Sequence, residues 1–363
     1  MKYTTLLFLL IFIALPLLLG NSCGSAPPPP VEAPEIALTD EEAPEEAESE
    51  PFFTITPPGV DLPVSGFREI WAYVVAGEEA TLKPGMHITD VGYFGAEVNL
   101  YGTLVSVPNR RSLPAFTGKV HLVVSCNGRA LSYFSLRSGS PERRALIADI
   151  LAASRNYDGL QINFEYIPQR SGEDYFTFLS ELKAGLESGT MFTVALAART
   201  RKIADDVYDY ERILPLVDRI LVMAYDEHWS TSAPGAVASL AWCRNVARYS
   251  MNVIGREKLV MGIPLYGRTW SRPNHARALY YSGIQRTIRE NNVTEIGREE
   301  GIPMFNYSTQ VSVTGYYDDE YSLSARMEMY RDMGIDAVGF WRLGMETPSL
   351  WNILKIEKFG GKK

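Results

Sequence analysis

The chain has 363 residues, 46% of them apolar and 21% charged, with 29 Gly, 22 Pro and 3 Cys. That length suits two domains or one large α/β barrel, and three cysteines exclude both a disulfide scaffold and a four-thiolate zinc site. The formal charge of −8 argues against a nucleic-acid partner, but the charge is unevenly placed: residues 1–66 hold ten of the 43 acidic side chains and one basic one, Lys2, which leaves 67–363 at +1.

Residues 1–22 open with Lys2, continue as an apolar run over 6–19 and end in small polar residues before Cys23. A positive start, a short apolar core and a small-residue exit predict a secretory signal peptide. A retained membrane helix fits less well, because the run is short and Pro16 interrupts it. Cys23 directly after the small residues resembles the lipid-accepting cysteine of bacterial lipoproteins, which implies a membrane anchor in the cell envelope. Residues 23–66 carry four consecutive prolines at 27–30 and the run EEAPEEAESE. Such a segment buries too little apolar surface to offset its ordering entropy, so it reads as a disordered tether.

From residue 67 onward the pattern is regular. Apolar, β-branched or aromatic runs at 70–75, 88–94, 120–125, 159–164, 192–197, 219–223, 259–263 and 337–341 predict eight strands. Helices are predicted between several of them. In 140–155, Ser140 and Pro141 supply a cap and a first-turn proline ahead of Leu146, Ile147, Ile150 and Leu151. Tyr175, Leu179, Leu182 and Leu186 repeat that spacing in 173–188, and Leu323, Met327 and Tyr330 follow Ser322 in 322–333, ending near Gly334. Near-continuous apolar strands alternating with helices indicate a parallel sheet covered on both faces. Eight of them predict an α/β fold of the (β/α)8 TIM-barrel type over 67–363, with an open doubly wound sheet as the alternative. The gap 271–318, between the seventh and eighth strands, is too long for one helix and predicts a small α/β insertion carrying Tyr280, Tyr281, Tyr307, Tyr316 and Tyr317. Cys126 and Cys243 sit in apolar surroundings that favour buried free thiols over a disulfide. The four histidines, at 87, 121, 228 and 275, form no His-Glu-x-x-His pair, and no Gly-rich phosphate loop follows a strand. Neither a metal nor another cofactor is therefore expected.

In a (β/α)8 barrel the working residues collect at the C-terminal ends of strands. The fourth strand reads Asp158-Gly159-Leu-Gln161-Ile-Asn163-Phe-Glu165. Period-two alternation puts Gln161, Asn163 and Glu165 on one face and Leu160, Ile162 and Phe164 on the other. Three polar residues pointing into a barrel are costly unless they bond one another or a ligand. A carboxyl that ends such a ladder is desolvated, its pKa rises, and it can donate a proton.

This segment resembles the Asp-Gly-x-Asp-x-Asp-x-Glu signature of glycoside hydrolase family 18, the chitinase-like barrels. Met223-Ala-Tyr225-Asp226, Gly262-Ile-Pro-Leu-Tyr266-Gly-Arg268-Thr-Trp270 and Gly339-Phe-Trp341-Arg-Leu-Gly344 resemble three further family segments, in the family's order. The wording is closest to the bacterial spore-germination and cell-wall branch. The resemblance implies substrate-assisted, retaining hydrolysis of glycans containing β-linked N-acetylglucosamine, such as peptidoglycan or chitin. Glu165 would be the acid/base, Tyr225 would hold the acetamido group in line, and Trp341 would form the apolar floor beneath that sugar. Gln161, Asp226, Arg268, Tyr266, Met223 and Tyr73 complete the expected substrate-binding set, and Asp158 with Gly159 is expected to brace the strand.

Gln161 and Asn163 stand where the family pattern has aspartates. Asn163 can accept the acetamido N–H but brings no charge, which costs roughly tenfold in rate if a charge-assisted bond becomes a neutral one. The Asn-x-Glu pair resembles that of the endo-β-N-acetylglucosaminidases of glycoside hydrolase family 85, in which the amide orients the acetamido group. The competing readings are a glycan-binding lectin on the same barrel and an envelope scaffold. The retained Glu165 favours the enzyme over the lectin, and the tyrosine and tryptophan positions argue against the scaffold.

Overall fold

The computed structural model describes residues 61–271, 275–309 and 312–357. The expected signal peptide, Cys23 and the tether up to residue 60 lie outside the described residues. Among those described, no helix is long and apolar enough to cross a membrane.

Eight parallel strands appear in chain order: β1 (Glu69–Val75), β2 (Asp90–Val98), β3 (Lys119–Asn127), β4 (Gly159–Glu165), β5 (Met191–Ala197), β6 (Arg219–Met223), β7 (Leu259–Pro264) and β8 (Ala337–Trp341). Each pairs with the next, and β8 pairs with β1 through Val338 and Ile70, so the sheet closes into a barrel. Closure excludes the open doubly wound alternative. All eight predicted runs form these strands.

Strand alternation then sorts the side chains. Ile70, Ala72 and Val74 of β1, and Ile220 and Val222 of β6, face outward and are buried against the helices. Trp71, Tyr73, Val123, Ala195, Leu221 and Val260 face inward and form a second, separate apolar layer inside the barrel. The interior is not uniformly apolar. At its N-terminal mouth Arg219 of β6 makes a two-pronged ion pair with Glu69 of β1, at 2.6 and 3.0 Å. One layer higher, His121 of β3 is fully buried, stacks on Trp71 at 4.2 Å and meets Asp90 Oδ1 at 2.9 Å. Rings of this size need space from neighbouring strands, and Gly92, which pairs with Tyr73, supplies it on β2, where an added Cβ would lie 2.6 Å from the Tyr73 ring.

The helices keep the expected faces, with shifted ends. The helix Pro141–Ser154 starts on the Ser140 cap, which accepts from the Arg143 N–H at 3.1 Å, and buries Leu146 and Ile150. Gly172–Gly185 buries Tyr175, Leu179 and Leu182 and ends before Leu186. The last helix, Glu320–Asp332, begins earlier than its predicted Ser322 start. Asp319 is the cap, and Ser322 is the third helical residue of a reciprocal capping box, accepting from the Asp319 N–H.

Between β7 and β8 the chain builds a five-stranded antiparallel sheet, in the order His275–Tyr280, Tyr266–Ser271, Ser312–Tyr316, Ile302–Ser308, Gly297–Glu299. The helix Tyr281–Glu290 packs Ile284 and Ile288 against Phe305 and Tyr317 of this module. The module therefore begins at Tyr266, before the expected 271, because Tyr266–Ser271 leaves the barrel only one residue after β7 ends. Likewise the expected tether boundary at residue 66 falls inside a strand, Ser65–Phe67, that pairs in parallel with Leu354–Ile356. Cys126 and Cys243 are free and buried.

Gly159 opens β4, and a Cβ there would lie 2.1 Å from the buried His121 ring. Gly159→Ala is expected to destabilise the fold by about 1–3 kcal/mol through overpacking. Urea unfolding checks this, and a midpoint equal to the parent's would contradict it.

Candidate active site

The C-terminal ends of the barrel strands surround a cavity of about 490 Å³ lined by Tyr73, Gln161, Asn163, Glu165, Met223, Tyr225, Asp226, Tyr266, Arg268 and Trp341. Every expected catalytic and substrate-binding residue is thus brought to one place. Asp158 and Gly159 lie at the opposite end of β4. There Asp158 accepts from the Val120 N–H at 2.8 Å and from Arg110 at 2.7 Å, tying β4 to β3.

The polar ladder of β4 is built from the inside out. Gln161 is buried, accepts from the Tyr73 hydroxyl of β1 and donates to Thr193 Oγ1 of β5 at 3.2 Å. Those two bonds fix its amide orientation and meet the cost of burying it. Asn163, one step nearer the opening, is 7% exposed and makes a side-chain hydrogen bond to Glu165. Its Oδ1 has no partner among the described residues, although it is buried. An amide oxygen in that position is an acceptor waiting for an N–H.

Glu165 ends the ladder half-buried. Burial raises its pKa, the Asp226 charge raises it further, and the Asn163 hydrogen bond opposes both without cancelling them. Asp226 in turn accepts from the Tyr266 hydroxyl at 2.6 Å and from Arg268 Nη2 at 2.6 Å, so the inserted module holds the carboxylate that faces the acid. Tyr225 precedes it, its ring edge-on to Tyr266 at 6.3 Å. Burial raises the Tyr225 pKa well above the ordinary phenol value, which keeps its hydroxyl a neutral donor. The residues after the acid and after this tyrosine, Tyr166 and Asp226, both adopt left-handed backbone, φ 58° and 59°. Non-glycine residues held there store strain, which recurs at functional sites. Across the cavity Trp341 contacts Tyr73 at 5.3 Å and Phe94 at 5.2 Å, which fixes the tilt of its indole.

The cavity also contains Phe94, Asn127, Tyr166, Ala195, Ala278 and Met345, which were not among the expected site residues. Asn127 was legible in principle, as the period-two continuation of Val123 and Ser125 beyond the predicted strand end. Ala278 and Met345 carry no local signal. Ala278 arrives because it pairs with Arg268 across the module's sheet. Among the described residues no group of His, Cys, Asp or Glu could hold a metal ion.

With this geometry in place, the chain matches the model of the glycosyl hydrolases family 18 over residues 103–346, and it belongs to that family. Among curated proteins it is 30% identical over 220 residues to YdhD of Bacillus subtilis, a protein assigned as a sporulation-specific glycosylase; the match covers 57% of this chain and 52% of that one. It is 24% identical over 299 residues to the cortical fragment-lytic enzyme of B. subtilis, covering 76% of this chain and 69% of that one. The chain thus spans about half to two thirds of the length of these relatives. The crystal structure of the Bacillus cereus spore cortex-lytic enzyme SleL superposes with a TM-score of 0.69 at 23% identity, covering 83% of this chain and 77% of that one, and shows the same fold.

The raised pKa of Glu165 makes its effect on stability pH-dependent. The native state favours the protonated carboxyl, so this contribution is present below the ordinary carboxylate pKa and is lost as pH rises through the raised value. Glu165→Gln is therefore expected to raise the thermal midpoint at about pH 8 and leave it nearly unchanged at about pH 4, as read by calorimetry. A midpoint no higher than the parent's at the alkaline pH would rule out a buried, destabilising carboxylate.

Proposed function

We propose that the protein is a retaining glycosidase acting on glycans that contain β-linked N-acetylglucosamine, with peptidoglycan or a chitin-type chain as substrate. The observation that carries the reading is the pairing, in one cavity, of a carboxyl with a raised pKa, Glu165, and a buried amide oxygen without a partner, Asn163 Oδ1. The first matches a leaving oxygen that must be protonated. The second matches an acetamido N–H that must be held.

In this mechanism the sugar's own acetamido oxygen attacks the anomeric carbon as Glu165 delivers its proton to the leaving oxygen. Asn163 accepts the acetamido N–H and Tyr225 donates to the acetamido oxygen, aligning it beneath the ring. Glu165, now anionic, takes a proton from water, which opens the oxazolinium intermediate and returns the sugar with its configuration retained. Trp341 forms the floor against the sugar's C–H face. Burial, aided by the charge of Asp226 that Tyr266 and Arg268 hold in place, shifts the acid toward its protonated form between turnovers. Gln161 and Tyr73 lock Asn163's neighbourhood, and Met223 fills the wall. The neutral amide stabilises the charged intermediate less than a carboxylate would, so a slow enzyme is expected.

The leader belongs to the same reading. A signal peptide, a lipidated Cys23 and the acidic tether would place the domain in a bacterial envelope, beside peptidoglycan. The lectin alternative draws on the two amides of the ladder, Gln161 and Asn163.

The test is release of reducing ends by the full chain from chitin oligosaccharides and purified peptidoglycan. Glu165→Gln is expected to lower kcat by roughly 10²–10⁴-fold, the usual worth of a general acid/base. Asn163→Ala is expected to lower kcat more than it raises KM, because its bond strengthens as charge develops. Micromolar binding of the same glycans with no release by the parent would refute the hydrolase and leave the lectin.

A further inference from the structure

Strand β3 runs parallel to β4 in register: Val123 pairs with Gln161, Ser125 with Asn163 and Asn127 with Glu165. Paired residues of neighbouring strands point to the same face of the sheet. Each step of the polar ladder therefore has a companion on β3 at the same height in the barrel. The deepest companion, Val123, belongs to the inner apolar layer. The middle one, Ser125, is buried and donates its hydroxyl to the Ala96 backbone oxygen of β2 at 3.3 Å. The outermost, Asn127, is exposed and lines the cavity beside the acid.

Asn127 is the member of this series with an uncommitted polar side chain. Among the described residues its amide makes no hydrogen bond. Nor does it engage the acid, since the side-chain hydrogen bond at Glu165 is made with Asn163. Directly after it the chain leaves the barrel through Gly128, at φ 154°, a conformation open to glycine. The helix that follows, Arg129–Leu136, is tied to the acid's strand by Ser132, whose hydroxyl donates to the Glu165 backbone oxygen at 3.4 Å. Asn127 is thus held by a strand on one side and a docked helix on the other, with its amide open to the cavity.

Height in the barrel decides what that amide can meet. In the proposed mechanism the acetamido group lies with Asn163, one layer deeper, and with Tyr225 beyond β6. The acid works in the outer layer, where it protonates the oxygen that joins two sugars. Asn127 shares that layer and flanks the acid from β3, whereas Asp226 acts on it from beyond β6. What remains within its reach is the departing sugar, through the hydroxyls next to the linkage. An amide suits them, because it both donates and accepts, as a hydroxyl does.

We infer that Asn127 binds the leaving sugar at a hydroxyl beside the bond being cleaved, and so selects substrates with a sugar on both sides of that bond. The inference rests on the glycosidase reading and deepens it: Asn163 and Tyr225 recognise the sugar that forms the intermediate, and Asn127 recognises the one that departs.

The experiment compares the full-length parent with Asn127→Ala and Asn127→Asp on chitin oligosaccharides and on nitrophenyl β-chitobioside. Both substrates present the same acetamido sugar, but the leaving group is a sugar in the first and a nitrophenol in the second. Asn127→Ala is expected to lower kcat/KM roughly tenfold on the oligosaccharides, the worth of a neutral hydrogen bond or two, and to stay within about twofold of the parent on the aryl glycoside. Equal loss on both, or none on either, overturns the inference, because an effect on folding, on water or on the acid does not depend on the leaving group in this way. Asn127→Asp tests the placement. An anion beside Glu165 raises the acid's pKa, so the alkaline limb of the kcat/KM profile is expected to move to higher pH on both substrates. A limb that stays in place puts Asn127 out of reach of the acid and also overturns the inference. Should the parent release nothing from either substrate, the hydrolase reading fails on its own, and calorimetric Kd values decide the subsite. Weaker oligosaccharide binding by Asn127→Ala then keeps it, and an unchanged Kd removes it.

Discussion

Polar groups inside a closed barrel have no water to fall back on, and this constraint shapes the rest of the molecule. Each inward polar residue must find a partner on a neighbouring or facing strand, or remain reserved for a ligand. Arg219 finds Glu69, His121 finds Asp90, and Gln161 finds both Tyr73 and Thr193. The lower layers are thus bonded largely to one another, although the second ring nitrogen of His121, Nδ1, has no partner among the described residues. At the top, Asn163 Oδ1 is buried without a partner among the described residues, and Glu165 is held at a raised pKa.

The inserted module extends that logic to the rim. Its strand Tyr266–Ser271 supplies Tyr266 and Arg268, both bonded to Asp226, a residue of the barrel's sixth loop held in left-handed backbone. Two pieces of chain, separated by some forty residues, thus position one carboxylate, and that carboxylate acts on Glu165 through charge rather than contact. Gln161 and Asn163, in place of the two aspartates of the family pattern, remove charge from the ladder, and the Asp226 charge adds to burial in raising the Glu165 pKa. In the proposed mechanism this arrangement would keep proton donation while giving up part of the electrostatic support for a cationic intermediate.

Much of this was legible before any coordinates. All eight strands follow from runs of apolar and β-branched residues, because alternation and burial on two faces are local properties of a parallel strand. The ladder Gln161, Asn163, Glu165 follows from period two alone. Helix faces were equally legible, but helix ends were not. Ser322 was expected to open the last helix, yet Asp319 caps it from further upstream, and both side chains work in one box. The module's start was missed for a related reason: Tyr266 continues the apolar run of β7, and only its antiparallel pairing with Tyr280 separates it from the barrel.

The sequence by itself determined the element order, the inward face of β4, and the acid at its end, since each depends on spacing within a few residues. Tertiary structure alone decided which partners satisfy that face. Tyr73 and Thr193 lie 88 and 32 residues from Gln161, and closure of β8 onto β1 is what brings Trp341 against Tyr73. The free oxygen of Asn163 and the grip of Arg268 on Asp226 belong to the same class. Each depends on a long-range contact or on the lack of one, and no local period encodes that; it exists only once the barrel has closed and the loops above it have packed.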